Sequence, residues 1–507
     1  MSRQDFFLLM LTAVGFIVAF PPFPTGFVAF GALVPFFFFL EGKKPGSAFR
    51  GGYVVGLIWT GGTIYWIGWA TVLGFIGALL WLPLYVAFYA VLHSWLWKKW
   101  GKRSLLFVPF VWTGVEIVTS WGDLGFTWNS LAYTQTYYPT MIQYASILGM
   151  HGVTFWVVLL NVLFFFLLKC GWQWKRCGGW ILLILPLFLL PWAYGKSIVS
   201  RSLPSEKEMR LALVQGNIDP YKKWTASFID SNFTTYERLT WLAQKENPDL
   251  IVWPETATPC YLRYNYVYLN RVKSQVNALG IPLLTGSPDY EWKNRGKPEA
   301  YNAALLITPN SWSIDRYHKM HLVPFSEKVP FRDKVPFLYN ALEKIHAGTG
   351  DFVAGDSIVV FRMIPRDDTT LIRFSTIICY ESIFPYLVRE FIRHGAQFLI
   401  VITNDAWFGR TSGPYQHAQI AVYRAIENRV WVARCANTGI SEFIDPFGRI
   451  CSKTALYQEA VLGQTISLGW GKSFFVDHGT LFLWFILVTN GLIFFGMLFE
   501  RRLLKND

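Results

Sequence analysis

Three residues of this chain combine into a chemistry that none of them carries alone. Cys379 closes an apolar, β-branched run at 370–378, and Tyr380 and Glu381 follow it directly. A helix-like pattern of Phe384, Leu387, Val388 and Phe391 begins just beyond. A thiol at such a strand-to-helix turn is held on rigid backbone. The N–H groups that open the turn favour a thiolate and offer an oxyanion site. Taken alone, Cys379 reads as a small buried hydrophobe, since free Cys is among the most buried residue types. Two further segments change that reading. Glu255 ends the apolar run 250–253 and Pro254, and Lys319 lies in the loop segment 317–327 that follows the strand-like 302–308. Glu, Lys and Cys at three element ends supply a general base, a cation for a developing oxyanion and a nucleophile.

To bring the three together, the intervening chain must build a sheet with one common edge. Strands are predicted at 210–217, 250–255, 281–287, 302–308, 371–379, 398–404 and 430–437, with helices at 228–244, 266–279, 382–393 and 414–428. Continuous apolar strands such as 398–402 imply a sheet covered on both faces, hence α/β layers. There is no Gly-rich phosphate loop. Cys170 and Cys177 lack the spacing and His partners of a zinc site, and His318 and His321 read as loop residues beside Lys319. No metal site is expected.

The rest of the chain is of another kind. Of 507 residues 53% are hydrophobic and 18% aromatic, too apolar for an ordinary soluble protein. The apolarity concentrates at 6–20, 27–40, 51–70, 71–97, 105–120, 153–168, 180–194 and 479–499, which read as eight membrane spans. The first runs into Pro21-Pro22-Phe23-Pro24 without a small-residue cleavage site and reads as a retained anchor. Arg3, the loops holding Lys43, Lys44 and Arg50, Lys98, Lys99, Lys102 and Arg103, and Lys169, Lys175 and Arg176, and the tail with Arg501, Arg502 and Lys505 alternate with turns lacking Lys and Arg. That alternation puts both termini in the cytoplasm. These segments hold 14 of the 46 Lys and Arg, so the net +13 is mostly a topology signal and supports no nucleic-acid partner. The expected division is 1–195, seven spans; 196–472, an extracytoplasmic catalytic domain; and 473–507, the last span and its tail. Cys260, Cys379, Cys435 and Cys451 then face an exterior that permits disulfides, but a nucleophilic Cys379 must stay unpaired.

With their flanking residues, Glu255, Lys319 and Cys379 resemble the triad of the nitrilase superfamily over 209–465. Nearly the whole chain resembles the apolipoprotein N-acyltransferase family. The motifs are Val214-Gln215-Gly216-Asn217-Ile218, Lys223-Trp224, Trp253-Pro254-Glu255, Tyr301-Asn302, Tyr317-His318-Lys319, 322–327, Cys379-Tyr380-Glu381 and 403–409. Thr119 and Phe126-Thr127-Trp128 depart from the family pattern on the membrane side. The resemblance implies a polytopic α-helical membrane domain carrying an αββα nitrilase-like sandwich, in a bacterial inner membrane, with the catalytic domain on the periplasmic face. It implies transfer of an acyl chain from a phospholipid, expected to be phosphatidylethanolamine, to the α-amino group of a lipoprotein's diacylglyceryl-cysteine through a thioester on Cys379. It implies no cofactor and a monomer. Glu327, Glu381, Tyr380 and Asn302 would support the triad, and Trp224 and Trp407 would gate or line an acyl tunnel or pack in the core. Tyr264, in a Tyr-rich stretch, and Phe337 and Leu338, in the amphipathic stretch 331–346, read as lids at the bilayer interface or as ordinary packing. Glu116 in an apolar span is a functional candidate or a helix-packing carboxyl. A membrane-tethered amidase, with water resolving the acyl-enzyme, and an inactive lipid-binding scaffold are the competing classes.

Overall fold

The computed structural model describes residues 2–171, 174–203, 207–292, 296, 298–331, 352–366, 369–469 and 471–503. Phe337 and Leu338 lie outside the described residues. The chain divides into two compact units: Met1–Gly68, Val72–Ser200 and His478–Asp507 form one, Trp69–Thr71 and Arg201–Asp477 the other.

The first unit is helical. Among the described residues, four stretches are long and apolar enough to cross a membrane: Val72–Thr119, Ala145–Lys169, Cys177–Val199 and Thr480–Leu498. Proline at the first or second position starts Val34–Leu40, Pro45–Ile64 and Val108–Thr119, where no N–H is needed. Lys98 and Lys99 close Val72–Trp100 and complement the negative end of its dipole. Helix Pro45–Ile64 lies tight against Val72–Trp100 because Gly52 and Gly56 carry no side chain. A Cβ on them would stand 2.8 Å from Ala87 Cα and 2.7 Å from Pro83 Cα. Leu182, Leu190 and Leu492 remain 71%, 68% and 66% exposed, an apolar surface suited to lipid rather than water.

Glu116, buried in this unit, accepts from Trp112 Nε1 and Leu131 N at 3.0 Å each, Ser130 Oγ at 2.6 Å and Thr154 Oγ1 at 2.7 Å. Four donors joining three segments match the helix-packing reading of this carboxyl.

The second unit holds two six-stranded sheets. The first runs in the order β12-β1-β2-β3-β4-β5, with β1 Glu208–Gln215, β2 Leu250–Val252, β3 Leu283–Trp292, β4 Pro298–Ile307, β5 Ile314–His318 and β12 Ala460–Ser467. The second runs β11-β10-β9-β8-β7-β6, with β6 Phe361–Met363, β7 Ile372–Ile378, β8 Phe398–Thr403, β9 Val432–Ala436, β10 Glu442–Ile444 and β11 Ile450–Lys453. Each sheet has a parallel centre, β1-β2-β3 or β7-β8-β9, flanked by antiparallel strands. The central strands β2 and β8 are almost entirely apolar because both faces are covered. Helices Ala226–Ala243 and Tyr266–Leu279 cover the first sheet through Phe233, Tyr236, Leu239, Val272 and Val276, packed on Ala212, Val214, Ile251, Ala303 and Leu305. Between the sheets, the Cys435 thiol donates to the carbonyls of Val214 (3.5 Å) and Val252 (3.3 Å).

Three local differences from the sequence reading bear on the site. Lys319 follows a strand of its own, β5, whose exposed Asp315 and Arg316 hide the alternation expected of a half-buried strand. β4 begins four residues before the predicted 302. The segment after Cys379 is a 3₁₀ turn, Cys379–Ile383, and the α-helix starts only at Pro385, whose fixed φ suits a first helical position.

Candidate active site

Within each sheet the parallel strands point the same way, so their carboxyl ends lie at one edge, where α/β sheets usually place ligands. Glu255 stands three residues beyond β2, Cys379 follows β7, Asn404 and Asp405 follow β8, and Lys319 follows β5. Two of these turns are strained: Cys379 has φ +51° and Thr256, next to Glu255, has φ +47°. A non-glycine residue in that region costs about 1–3 kcal/mol and is held only by its surroundings.

Those surroundings are specific. Glu255 Oε1 accepts from Asn302 Nδ2 at 2.8 Å and lies 3.5 Å from Lys319 Nζ; its Oε2 accepts the backbone N–H of Asn404 at 2.9 Å. Lys319, only 1% exposed, places Nζ 2.9 Å from Glu327 Oε1, which also accepts from Asn302 at 2.8 Å. The second oxygen of Glu327 caps Val323 N at 2.8 Å. Asn302 therefore spaces two carboxylates, and one ammonium sits between them. Burial works against the charge on Lys319, but Glu327 and Glu255 outweigh it and hold the ammonium above its ordinary range.

Cys379 is 9% exposed. Burial pushes its thiol up and the charge on Glu255 adds to this, while Lys319 opposes both. At rest the nucleophile is a thiol, which calls for a base at the moment of attack. Glu381 joins the two halves of the site. Oε1 accepts from Tyr317 Oη at 2.6 Å, Met320 N at 2.7 Å and His321 N at 3.2 Å, and Oε2 from Ile378 N at 2.7 Å. One carboxylate thereby stitches the Lys319 segment to the residue before Cys379. Burial raises its carboxyl, and the hydrogen bonds from Tyr317 and Ile378 pull the other way. Tyr380 is 7% exposed, with its ring edge-on to Phe384 at 5.2 Å.

The carbon-nitrogen hydrolase family model matches residues 210–472, and the model of the apolipoprotein N-acyltransferase N-terminal domain matches 12–163. The chain is 36% identical to an apolipoprotein N-acyltransferase of Geobacter metallireducens, over 99% of this chain and 96% of that protein. It is 34% identical to one of Chlorobaculum tepidum, over 94% of this chain and 93% of that one. The chain belongs to the apolipoprotein N-acyltransferase family. A likeness in fold to an amidase of Nesterenkonia sp. AN1 has a TM-score of 0.38 at 18% identity, covering 53% of this chain and 93% of that one. This member of the family is accordingly an acyltransferase of lipoprotein maturation and a bacterial membrane protein, with a nitrilase-like αββα domain.

Trp224 is 45% exposed with the Lys223 ammonium 5.3 Å from its ring centroid. Trp224 and Tyr264 line one cavity of about 710 Å³, together with Tyr261, Tyr290 and Phe352. Tyr264 stacks on Tyr290 at 3.9 Å and donates to its carbonyl at 2.9 Å. Trp407 does not line that cavity; its ring stands edge-on to Tyr221 at 5.4 Å. Asp289, Glu291 and His318 converge within 4.8 Å, but Arg263 grips Asp289 at 2.8 and 2.9 Å and Arg316 grips Glu291 at 2.5 Å. Both carboxylates are therefore already neutralised by protein cations.

Sequence reasoning passed over Lys223 and His417 as participants. Lys223 is buried and donates to Thr256 O at 3.1 Å and Thr256 Oγ1 at 2.5 Å, pinning the strained turn beside Glu255. Burial lowers its ammonium to about 8 against the pull of Glu255. The motif Lys223-Trp224 carried a signal for it. For His417, a lone His on a helix, the sequence offers none.

Proposed function

We propose that the chain transfers an acyl group from a phospholipid to the α-amino group of a lipoprotein's diacylglyceryl-cysteine by a two-step, thioester mechanism. Glu255 takes the Cys379 proton as sulfur attacks the ester carbonyl, and Lys319 with the Tyr380 N–H binds the oxyanion. The tetrahedral adduct collapses with cleavage of the ester C–O bond. Protonated Glu255 returns the proton to the leaving lysophospholipid, and the acyl group stays on sulfur. The acceptor amine then attacks the thioester, Glu255 removes its proton, the C–S bond breaks, and the proton goes back to Cys379. The site's net charge is unchanged in either proton transfer, because the thiolate appears only as Glu255 is neutralised. That economy suits a buried site, where an added charge is costly.

The observation that carries this reading is the ammonium of Lys319, held between Glu255 and Glu327 and favouring the Cys379 thiolate. Glu327, Glu381, Asn302 and Tyr380 are supporting residues; Trp224, Tyr264 and Trp407 form the lipid-facing surroundings. Phosphatidylethanolamine is the donor and the enzyme works as a monomer. The basic segments support eight spans with both termini cytoplasmic, seven spans in 1–195, the catalytic domain 196–472 on the periplasmic face and the last span in 473–507.

The test is the mass of the intact protein after incubation with phosphatidylethanolamine alone. One acyl chain on Cys379, released by hydroxylamine and discharged faster by a diacylglyceryl-cysteine peptide than by water, is the expected result. Faster hydrolysis than transfer would make the protein an amidase-like hydrolase, and no thioester would end the mechanism.

A further inference from the structure

Lys223 is 2% exposed, and no step above uses it. It sits in the turn before the helix Ala226–Ala243, with its own N–H tied to the Asp219 carbonyl at 3.2 Å. Its ammonium donates to both acceptors of a single residue, Thr256 O at 3.1 Å and Thr256 Oγ1 at 2.5 Å. Thr256 is the residue with φ +47° that follows the base. Asn232, on that helix, takes the next carbonyl, Ala257 O, at 2.7 Å. Toward β3 the turn has no room to move, since a Cβ on Gly286 would stand 2.6 Å from Glu255 Cα and from Thr256 N. A left-handed threonine persists only where its neighbours over-determine it. At Thr256 the group that holds backbone and side chain together is the Lys223 ammonium.

Charge points the same way. Lys319 serves two carboxylates, Glu255 and Glu327, so that trio is one positive charge short. Burial works against the Lys223 ammonium, and the attraction of Glu255 works for it. Such attraction is mutual, and it weakens least where water is excluded. We propose that Lys223 is a positioning residue for the general base: it locks Thr256 in its strained turn, thereby aims the Glu255 carboxylate, and supplies the second positive charge of the site. The inference rests on Glu255 being the base, as in the mechanism above. Lys223 also stands 5.3 Å from the ring centroid of Trp224, in the wall of the cavity of about 710 Å³. A role in lipid binding through that ring would change how tightly the ester binds, whereas a role through the base changes how fast it reacts.

The experiment is a double-mutant cycle in the full-length enzyme in detergent: wild type, Lys223→Met, Glu255→Gln and the double variant. Acylation is followed as first-turnover release of p-nitrophenol from a p-nitrophenyl acyl ester, with phosphatidylethanolamine run beside it. Lys223→Met is expected to lower the maximal acylation rate about tenfold or more, with the half-saturating ester concentration essentially unchanged. In the Glu255→Gln background the same substitution should change the rate by less than about twofold, because a residue that acts only through the base has no effect once the base is gone. Losses that multiply, as a general loosening of the fold gives, overturn the proposal. So does a raised half-saturating concentration with an unchanged maximal rate, which assigns Lys223 to the cavity through Trp224. If Lys223→Met does not accumulate folded, Thr256→Val, which exchanges only the hydroxyl for a methyl, must show a loss that likewise disappears beside Glu255→Gln. No loss there, or one that multiplies, overturns it as well. The Glu255→Gln arm separates the two readings. If that variant acylates as fast as wild type, the base assignment fails and the proposal with it, whereas a slow Glu255→Gln with multiplying losses sinks the Lys223 proposal alone. Failure of wild type with phospholipid but not with the p-nitrophenyl ester refutes the donor assignment and leaves the cycle to decide.

Discussion

Lys319 is the cation on which two carboxylates depend, so its removal acts on charge as well as on oxyanion binding. Lys319→Ala should slow thioester formation by about 10²–10³, the usual cost of losing one such donor. Cys379→Ser should form no acyl-enzyme, since a hydroxyl is far harder to ionise with the same base, and Glu255→Gln should impair both half-reactions; single-turnover acylation and discharge rates measure all three. A second residue-scale effect concerns stability. Glu442 is 1% exposed, its Oε1 has no hydrogen-bond partner among the described residues, and burial, with Asp405 adding, raises its carboxyl from 4.5 to about 7 against Arg434 and Lys453. Below pH 4.5 both folded and unfolded chains hold that proton. Between 4.5 and 7 only the folded one does, so stability falls as pH rises through that window. Glu442→Gln should therefore be more stable than wild type at pH 8, by up to about 3 kcal/mol, with the gain vanishing near pH 4.5 in pH-dependent denaturant melts.

Among the elements, Glu381 ties the turn after β7 to β5 and the segment after it, accepting four hydrogen bonds. Glu381→Ala would strand those donors in the interior and should lower stability by about 3 kcal/mol or more. It should also depress acylation in the protein that remains folded; thermal melts and acylation rates on the same samples check both. The elements carrying Glu255 and Cys379 were legible because β2 and β7 lie in runs rich in β-branched and apolar residues that stop at Pro254-Glu255 and at Cys379-Tyr380-Glu381. β5 was not legible, because it is an edge strand whose Asp315 and Arg316 face solvent, and the 3₁₀ turn after Cys379 is hidden in the sequence by the helical spacing of Phe384, Leu387 and Val388. The triad and Glu381 could be read from motifs. His417 could not, because its meaning comes from a neighbour twelve residues earlier in sequence that only the packing of β8 against the helix Gly413–Asn428 brings within 2.8 Å.

For the whole molecule, the topology prediction is the simplest to check. A reporter fused near residue 300 should read as periplasmic and one fused after Asp507 as cytoplasmic; finding both on one side would mean that the spans have been miscounted. A different consequence follows from the division of labour between the sheets. Glu255, Asn302, Lys319 and Glu327 are carried by the strands and loops of the first sheet, and Cys379, Asn404 and Asp405 by those of the second. The two half-sites meet across the seam between the sheets, where Glu381 and the Asn404 N–H are the fasteners. Catalytic competence is then a gauge of how tightly the seam is shut. In a guanidinium titration, acylation should fail at a lower concentration than the far-ultraviolet dichroism of the strands, because parting the seam disarms the enzyme while each sheet is still whole.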